Sequence, residues 1–350
     1  MEDKKALVAV SQNRIIYLDV LRILATFAVI SIHVCSQNWN KVSLDSYEWN
    51  VFNVYNSFSR WAVPIFVMIS GTLFLDNKRK IDIKKLYTKN ILRIITAFIF
   101  WSMFYAIIEN DVFGKYRVNM RLFMRSFIVG HYHLWFLHMI IGLYILTPIL
   151  RKITSDPKTT EYFLIISIFF TFIVPIFFRM PRLESSAKVL EYLNLDFKYI
   201  TYFVLGYYLS VKELSRKKRN IIYFFSFLGF FATIFGSVVI SNNRGAQYGL
   251  YSNLYINVLL EAVGLFIFVK NLKLNIDLEK SKMFKNLVQY SFGIYVLHVL
   301  IMDALQEFGL TTLTFNPIIS IPIIIILIFS TSAIISAILN HIPIVKKYIV

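Results

Sequence analysis

Three ionisable side chains lie in the first long apolar stretch of the chain, where charge is costly. The stretch, YLDVLRILATFAVISIHV, carries Asp19, Arg22 and His33. A charged side chain in the hydrocarbon of a bilayer costs roughly 2.5–3.5 kcal/mol, so such groups usually face a bundle interior or a water-filled cavity. Arg22 and His33 are eleven residues apart. On an α-helix that spacing puts them within about 20° of one face and about 16 Å apart along the axis.

One helix face therefore offers a guanidinium near one membrane surface and an imidazole near the other. This arrangement suits a reaction whose two substrates arrive from opposite sides of a membrane. A purely structural role is the alternative. Asp19 and Arg22, three residues apart, would then neutralise each other at a helix end, and His33 would be an interfacial residue that hydrogen-bonds water.

Three further candidates lie in later apolar stretches. Arg60, in FSRWAVPIFVMISG, either binds a substrate or extends to the outer interface. Glu261, in YINVLLEAVGLFIFV, must be neutral or paired with a cation, and it could partner Arg60 or form a wall of a reaction cavity. His298, in QYSFGIYVLHVL, is either part of a site or a core histidine that a neighbouring residue satisfies.

A cluster of histidines precedes the predicted fourth span. The stretch GHYHLWFLHMIIGLYILTP carries His131, His133 and His138 together with Trp135. A zinc-binding histidine pair on a helix prefers a spacing of four residues, whereas His133 and His138 are five apart. No cysteine or nearby carboxylate completes a ligand set, so no metal site is expected. Histidine and tryptophan at an outer membrane boundary favour an interfacial anchor or an opening into the bundle.

A basic run leads into the predicted third span. In DNKRKIDIKKLYTKNILRI, the residues Lys85, Lys89 and Arg93 are spaced at i, i+4 and i+8, which puts them on one face of a helix. Such a face commonly contacts anionic lipid headgroups or sets topology. A ligand rich in phosphate, such as coenzyme A, would use the same face, and composition alone leaves both readings open.

The elements that must position these residues are membrane helices. Of the 350 residues, 57% are hydrophobic, the mean hydropathy is +0.61, and apolar runs of spanning length recur along the chain. We predict an all-α polytopic bundle, with a cytoplasmic segment at 1–14, a membrane domain at 15–340 and a cytoplasmic tail at 341–350. The ten predicted spans are 15–35, 51–75, 90–109, 132–150, 162–178, 197–211, 220–240, 252–269, 286–304 and 316–339.

The net charge of +17 could indicate a nucleic-acid partner, but the distribution of the charge argues against one. With the N-terminus inside, the predicted cytoplasmic segments hold 24 lysines and arginines and the opposite segments hold 9. This asymmetry predicts that both termini are cytoplasmic. The single cysteine, Cys35, excludes an internal disulfide, and it lies about 200° around the helix from His33, which argues against a catalytic pair.

Several of these stretches together resemble the acyltransferase type 3 family, integral-membrane enzymes of bacteria that acylate cell-surface glycans. The resemblance covers nearly the whole chain, and its motifs follow one another in the family's order. They are the Arg-x10-His spacing in YLDVLRILATFAVISIHV, the stretch RWAVPIFVMISGTLFL, the basic segment before the third span, HLWFLHMIIGLYILTP and YSFGIYVLHVL.

The resemblance implies that an acyl group, usually acetyl, passes from cytoplasmic acetyl-coenzyme A to a hydroxyl outside. His33 matches the family's essential histidine and Arg22 its paired arginine. The family's donor-binding segment falls on Lys85, Lys89 and Arg93, although that segment commonly holds more arginine. Lysine binds phosphate as a point charge and lacks the bidentate fork of arginine.

On this basis we expect His33 to be the general base, or else to carry the acyl group itself. Arg22 would orient the donor or stabilise developing charge, and Asp19 would orient Arg22. Glu261 is the candidate carboxylate for orienting His33. The candidate residues for binding the acceptor are Arg60, His133, Trp135 and His298.

The expected partners are membrane lipids and a cell-surface glycan or lipid-linked sugar, in the bacterial cytoplasmic membrane. The main alternative is an exporter of polysaccharide or lipid-linked sugar, which would move its substrate without consuming an acyl donor. A binding module without turnover is a further alternative. The acceptor, the choice between acetyl and succinyl, and the oligomeric state are not readable from the sequence.

Overall fold

Helices make up most of the described part of the chain. A computed structural model describes residues 15–112, 119–178, 197–244, 249–273 and 280–350, and these ranges contain no β-strand. The predicted cytoplasmic segment 1–14 and the predicted outer segment 179–196 lie outside the described residues. The all-α prediction is confirmed.

The helices follow the predicted spans closely. We number the main ones in chain order: α1 Ile16–Ser36, α2 Tyr47–Ser57, α3 Ala62–Phe74, α4 Leu92–Glu109, α5 Met120–Val129, α6 Trp135–Thr154, α7 Pro157–Ile168, α8 Lys198–Val211, α9 Arg216–Arg244, α10 Ile256–Asn271, α11 Lys282–Glu307, α12 Pro317–Leu339 and α13 Pro343–Tyr348. Short helical pieces flank some of them, namely Ile83–Lys85, Leu86–Ile91, Tyr132–Leu134, Phe169–Ile173 and Val174–Phe178.

Polar residues fix where several helices begin. Asp156 accepts a hydrogen bond from the Thr159 amide at the start of α7 (2.7 Å), and Asn316 accepts one from the Ile318 amide at the start of α12 (3.0 Å). Each is followed by a proline in the first turn, where the missing amide hydrogen costs nothing. These caps place helix boundaries in the polar segments between the apolar runs.

Eight helical stretches in the described residues are long and apolar enough to cross a membrane. The predicted sixth and eighth spans correspond to α8 and α10, which have 14 and 16 residues and are shorter than a usual span of about 17–25. All ten predicted spans therefore coincide with helices. The bundle exposes large apolar side chains at its surface, as lipid contact requires, including Phe224, Phe227, Phe231, Phe235, Ile318 and Ile326.

The predicted second span is not continuous. It is divided into α2 and α3, and Arg60 lies in the turn between them. Pro64 is the physical reason for the interruption, because it has no amide hydrogen to donate to the carbonyl of Arg60 four residues earlier. Arg60 therefore occupies a break between helices and not the interior of one.

The first helix lies at the centre of the bundle. α1 packs against α2, α3, α10, α11 and α12. On its other side α3 meets α8 at a very close contact, because Gly71 and Gly206 face each other's backbones. A Cβ added at Gly71 would lie 1.7 Å from the carbonyl oxygen of Phe203. Only glycine allows this approach, because any side chain would collide with the facing backbone.

An amphipathic helix precedes the fourth predicted span. α5 runs from Met120 to Val129 and packs against α4, where Ser102 donates a hydrogen bond to the carbonyl of Phe127. Its large apolar side chains are exposed, among them Met120, Leu122 and Ile128. Gly130, with φ of 78°, ends α5 and turns the chain towards His131.

Candidate active site

A cavity of about 810 Å³ runs through the bundle beside α1. Four residues of α1 line it: Asp19, Arg22, Val29 and His33. At 1.5 Å per residue, Asp19 and His33 are about 21 Å apart along the helix axis. The cavity therefore follows one face of α1 over most of its length, as the eleven-residue spacing of Arg22 and His33 predicted.

One end of the cavity is basic. Lys89 and Arg93 line it, and so do Lys285 from α11 and Lys346 from α13. Near this end, Arg22 lies 3.6 Å from the Asp19 carboxylate in an ion pair. Lysines and arginines from four elements, namely the Leu86–Ile91 turn, α4, α11 and α13, therefore line the basic end of the cavity. Such a concentration of positive charge attracts polyanions.

The three basic residues predicted to share a face do not all reach the cavity. Lys89 and Arg93 line it, whereas Lys85 is exposed and does not. The chain from Leu86 to Ile91 forms a π-helical turn, with hydrogen bonds from i to i+5. Spacing at i and i+4 gives a shared face only in a regular α-helix, so this turn rotates Lys85 away from the other two.

Arg93 is tied to the end of the described chain. Its Nη2 donates to the carbonyl oxygen of Val350 at 2.7 Å, and its guanidinium lies 5.7 Å from the centre of the Phe292 ring. Trp101 Nε1 donates to the carbonyl oxygen of Ile349 at 3.0 Å. These contacts hold α13 across α4, and they place Lys346 at the basic opening.

The opposite end of the cavity is lined by imidazole rings. His33 lies 5.1 Å from His298 between ring centres, and His298 lies 5.3 Å from His133. Nδ1 of His133 is 2.9 Å from Nδ1 of His131. His33 and His133 line the cavity directly, together with Trp135, while His298 is buried behind them with 1% of its surface exposed.

This histidine cluster lacks the geometry of a metal centre. In the described ranges, no group of three or more histidine, cysteine, aspartate or glutamate side chains could hold a metal ion. The rings instead contact one another and the aromatic side chains of Tyr132 and Tyr295. Nδ1 of His131 and Nδ1 of His133 pair with each other, and Nδ1 of His298 contacts the carbonyl oxygen of Tyr295.

Arg60 does not line the cavity. Its Nη1 donates to the carbonyl oxygen of Tyr251 at 3.2 Å, and its guanidinium lies 4.8 Å from the centre of the Tyr251 ring. Burial raises the pKa of Tyr251 to about 12, so its hydroxyl stays protonated and donates to Asn53 Oδ1 at 2.8 Å. Arg60 thus holds the loop before α10 against the break between α2 and α3.

Glu261 also lies away from the cavity. It is fully buried, and its Oε1 accepts a hydrogen bond from the Thr233 hydroxyl of α9. Asn257 donates to the same hydroxyl at 2.7 Å. This carboxylate therefore joins α9 to α10, and the structure does not bring it to His33 as the sequence-based assignment expected.

The structure adds residues that the sequence pattern did not single out. Lys285 and Lys346 line the basic end, but nothing in their local sequence distinguishes them from the neighbouring Lys282 and Lys347. Glu109 lies 3.4 Å from Nε2 of His131. It is distant in sequence from the histidines, so only the folded chain could pair them.

These features define a class of protein: a multi-pass membrane bundle with a polar cavity that is basic at one end and rich in histidine at the other. A family model described as an acyltransferase domain matches residues 15–339. The match covers nearly the whole chain, so the protein belongs to the acyltransferase type 3 family and is an acyltransferase. No curated protein and no solved structure shows significant similarity to the chain.

Proposed function

We propose that the protein transfers an acyl group, acetyl in the first instance, from cytoplasmic acyl-coenzyme A to a hydroxyl of an extracytoplasmic or lipid-linked glycan. The observation that carries this proposal is a continuous cavity that joins the basic end to His33 along one face of α1. A membrane acyltransferase with a donor on one side of the membrane and a glycan acceptor on the other needs a cavity that connects the two binding sites. The bacterial cytoplasmic membrane is the proposed location.

The basic end suits the donor. Coenzyme A carries its phosphates at one end of the molecule and its thioester at the other, joined by a long flexible arm. Lys89, Arg93, Lys285 and Lys346 would bind the phosphates, with the arm extending along α1 past Arg22. The thioester would then lie near His33, about 16 Å from Arg22 along the helix axis.

His33 would act as the general base. Its imidazole takes the proton of the acceptor hydroxyl while the hydroxyl oxygen forms a bond to the thioester carbonyl carbon. The bond between carbon and sulfur then breaks, and the thiolate leaves with the electron pair and takes a proton from the imidazolium. Imidazole suits both transfers because its ordinary pKa is near neutrality.

Arg22 and Asp19 would act on the donor side, where the carboxylate holds the guanidinium in place. Trp135, His133 and His298 lie at the end where the acceptor would bind, and Trp135 offers an aromatic surface of the kind that contacts sugar rings. Arg60, Lys85 and Glu261 have no part in this proposal, because the cavity does not reach them.

The test uses the purified full chain in nanodiscs with labelled acetyl-coenzyme A and a crude fraction of bacterial cell-surface glycans. Release of free thiol and incorporation of label into glycan are both followed. We expect transfer by the wild type and a loss of about 10²–10⁴-fold in His33→Ala, which is the usual contribution of a general base.

His341→Ala is the matched control, because this histidine is exposed and lies outside the cavity. It should retain full activity. Equal activity in His33→Ala would remove the base assignment. Folded wild-type protein that neither binds acetyl-coenzyme A nor releases thiol would favour the exporter alternative instead.

A further inference from the structure

A chain of three polar side chains runs from the protein surface to the cavity. Glu109, the last residue of α4, is about one-third exposed, and its Oε1 lies 3.4 Å from Nε2 of His131. Nδ1 of His131 lies 2.9 Å from Nδ1 of His133. His133 is 2% exposed and lines the cavity. Tyr105 holds both rings, stacking on His131 at 4.6 Å and meeting His133 edge-on at 5.1 Å.

The partners decide where the protons lie on these rings. A neutral imidazole has one nitrogen that donates and one that accepts. The carboxylate of Glu109 can only accept, so it favours the proton on Nε2 of His131. Nδ1 of His131 is then the acceptor, and Nδ1 of His133 must donate to it. The remaining nitrogen, Nε2 of His133, is left with a lone pair.

His298 also carries its proton on Nδ1, for a reason that does not involve Glu109. Nδ1 of His298 contacts the backbone carbonyl oxygen of Tyr295. A carbonyl oxygen only accepts, so His298 donates from Nδ1 and Nε2 carries its lone pair. Within the described residues, neither His133 Nε2 nor His298 Nε2 has a hydrogen-bond partner, although both atoms are buried.

Nε2 of His133 and Nε2 of His298 are neighbouring buried acceptors, and each needs a hydrogen-bond donor to satisfy its lone pair. The rings of His133 and His298 are 5.3 Å apart, and His298 is 5.1 Å from His33. A buried polar atom without a partner loses about 1–3 kcal/mol. A hydroxyl group satisfies one acceptor by donating its proton, and a sugar offers several hydroxyls on neighbouring carbons.

We propose that Glu109 and His131 are positioning residues that set the tautomer of His133. Through them the cavity presents one hydrogen-bond acceptor, His133 Nε2, to a polyhydroxyl acceptor beside His33, while His298 Nε2 is a second acceptor buried behind it. This inference deepens the proposed function and rests on it for the identity of the ligand. The tautomer itself does not depend on any reaction.

The first test therefore measures tautomers without substrate. The full chain is prepared with ¹⁵N-labelled histidine in nanodiscs, and the ring nitrogen shifts distinguish a protonated Nδ1 from a protonated Nε2. His133→Gln identifies the His133 signals by their loss. We expect His133 to carry its proton on Nδ1 in the wild type.

Glu109→Lys replaces the carboxylate by an ammonium group, which can only donate, so Nε2 of His131 becomes the acceptor and its Nδ1 the donor. His133 should then carry its proton mainly on Nε2. Glu109→Asp should keep the wild-type tautomer. Glu307→Lys is the matched control, because this exposed glutamate ends α11 without contacting His131. A His133 tautomer that is the same in wild type and Glu109→Lys, or a wild-type proton on Nε2, overturns the proposal.

The second test separates positioning from general structural damage. With labelled acetyl-coenzyme A and the crude glycan fraction, Glu109→Lys should raise the glycan concentration for half-maximal rate about tenfold, the effect of one lost hydrogen bond. Its affinity for acetyl-coenzyme A should be unchanged. An equal loss of donor affinity would contradict a positioning role. Failure of wild-type transfer would contradict the proposed function and leave the tautomer result standing.

Discussion

Arg22 and His33 project into the same cavity because they share a face of one straight helix. The roles proposed for them differ because the surroundings at the two ends differ. Arg22 lies among lysines and arginines that line the basic end, and His33 lies among other imidazoles. A cluster of positive charges such as the one around Arg22 can bind a polyanion. An imidazole among uncharged rings, such as His33, can take up and release a proton.

Replacement of Arg22 by lysine should affect the donor more than the acceptor. Lysine keeps the charge but loses the planar fork of donors, and a hydrogen bond to a charged group contributes about 1.5–3 kcal/mol. We expect acetyl-coenzyme A to bind at least about tenfold more weakly, as measured by titration calorimetry in nanodiscs. Arg121→Lys on the exposed helix α5 is the control. Unchanged donor affinity and rate would remove Arg22 from the site.

Lys285 and Lys346 should contribute to donor affinity although no sequence motif contains them. Each is exposed at the basic end, so each replacement by glutamine should cost up to about 1 kcal/mol, roughly fivefold in affinity. The neighbouring Lys282→Gln and Lys347→Gln are matched controls, since neither lysine lines the cavity. The difference should shrink in high salt, because exposed charges are screened. Equal effects in all four variants would indicate that donor binding depends on the overall positive potential of this end, and would argue against a defined phosphate site.

At the scale of elements, two irregular features shape the site. The π-helical turn Leu86–Ile91 selects Lys89 and Arg93 for the cavity and leaves Lys85 outside. The contact of α3 with α8 lets their backbones touch at Gly71 and Gly206. α3 also lines the cavity, through Val63, Phe66, Ile69 and Ser70, so this contact fixes one wall of the site.

Gly71→Ala should therefore destabilise the bundle. The added methyl group would meet the Phe203 backbone, which cannot move aside as a flexible side chain could. Overpacking of this kind typically costs about 1–3 kcal/mol. A lowered midpoint of thermal unfolding in detergent would measure it. Gly142→Ala is the control, because a Cβ there meets nothing within 4 Å. A Gly71→Ala midpoint equal to that of the control would contradict the close contact.

At the scale of the whole molecule, basic segments gather at one end of the bundle. Arg151 donates to the carbonyls of Phe74, Asp76 and Arg79, and Lys270 donates to those of Leu209 and Lys212. At the opposite end, Gln37 donates a hydrogen bond to Gln306 at 2.7 Å, and both side chains are neutral. The lysine and arginine counts predict that the basic end faces the cytoplasm.

Cysteine labelling tests that orientation. Cys35 is fully buried, so a Cys35→Ala background removes it without altering the surface. Ser155→Cys at the basic end should react with a membrane-impermeant maleimide only after cells are permeabilised. Glu307→Cys at the other end should react in intact cells. Both positions are exposed, so the opposite pattern would invert the assigned topology.

The sequence by itself determined the helices, their order and the shared face of Arg22 and His33. These are local properties, since hydrophobic length sets a span and the helical period sets a face. Only the tertiary structure decided which residues from distant segments meet. It separated Glu261 and Lys85 from the cavity, and it paired Glu109 with His131. Side-chain contacts between helices depend on how the helices pack and where their turns deviate from the ideal period, and a single sequence carries neither quantity in a local pattern.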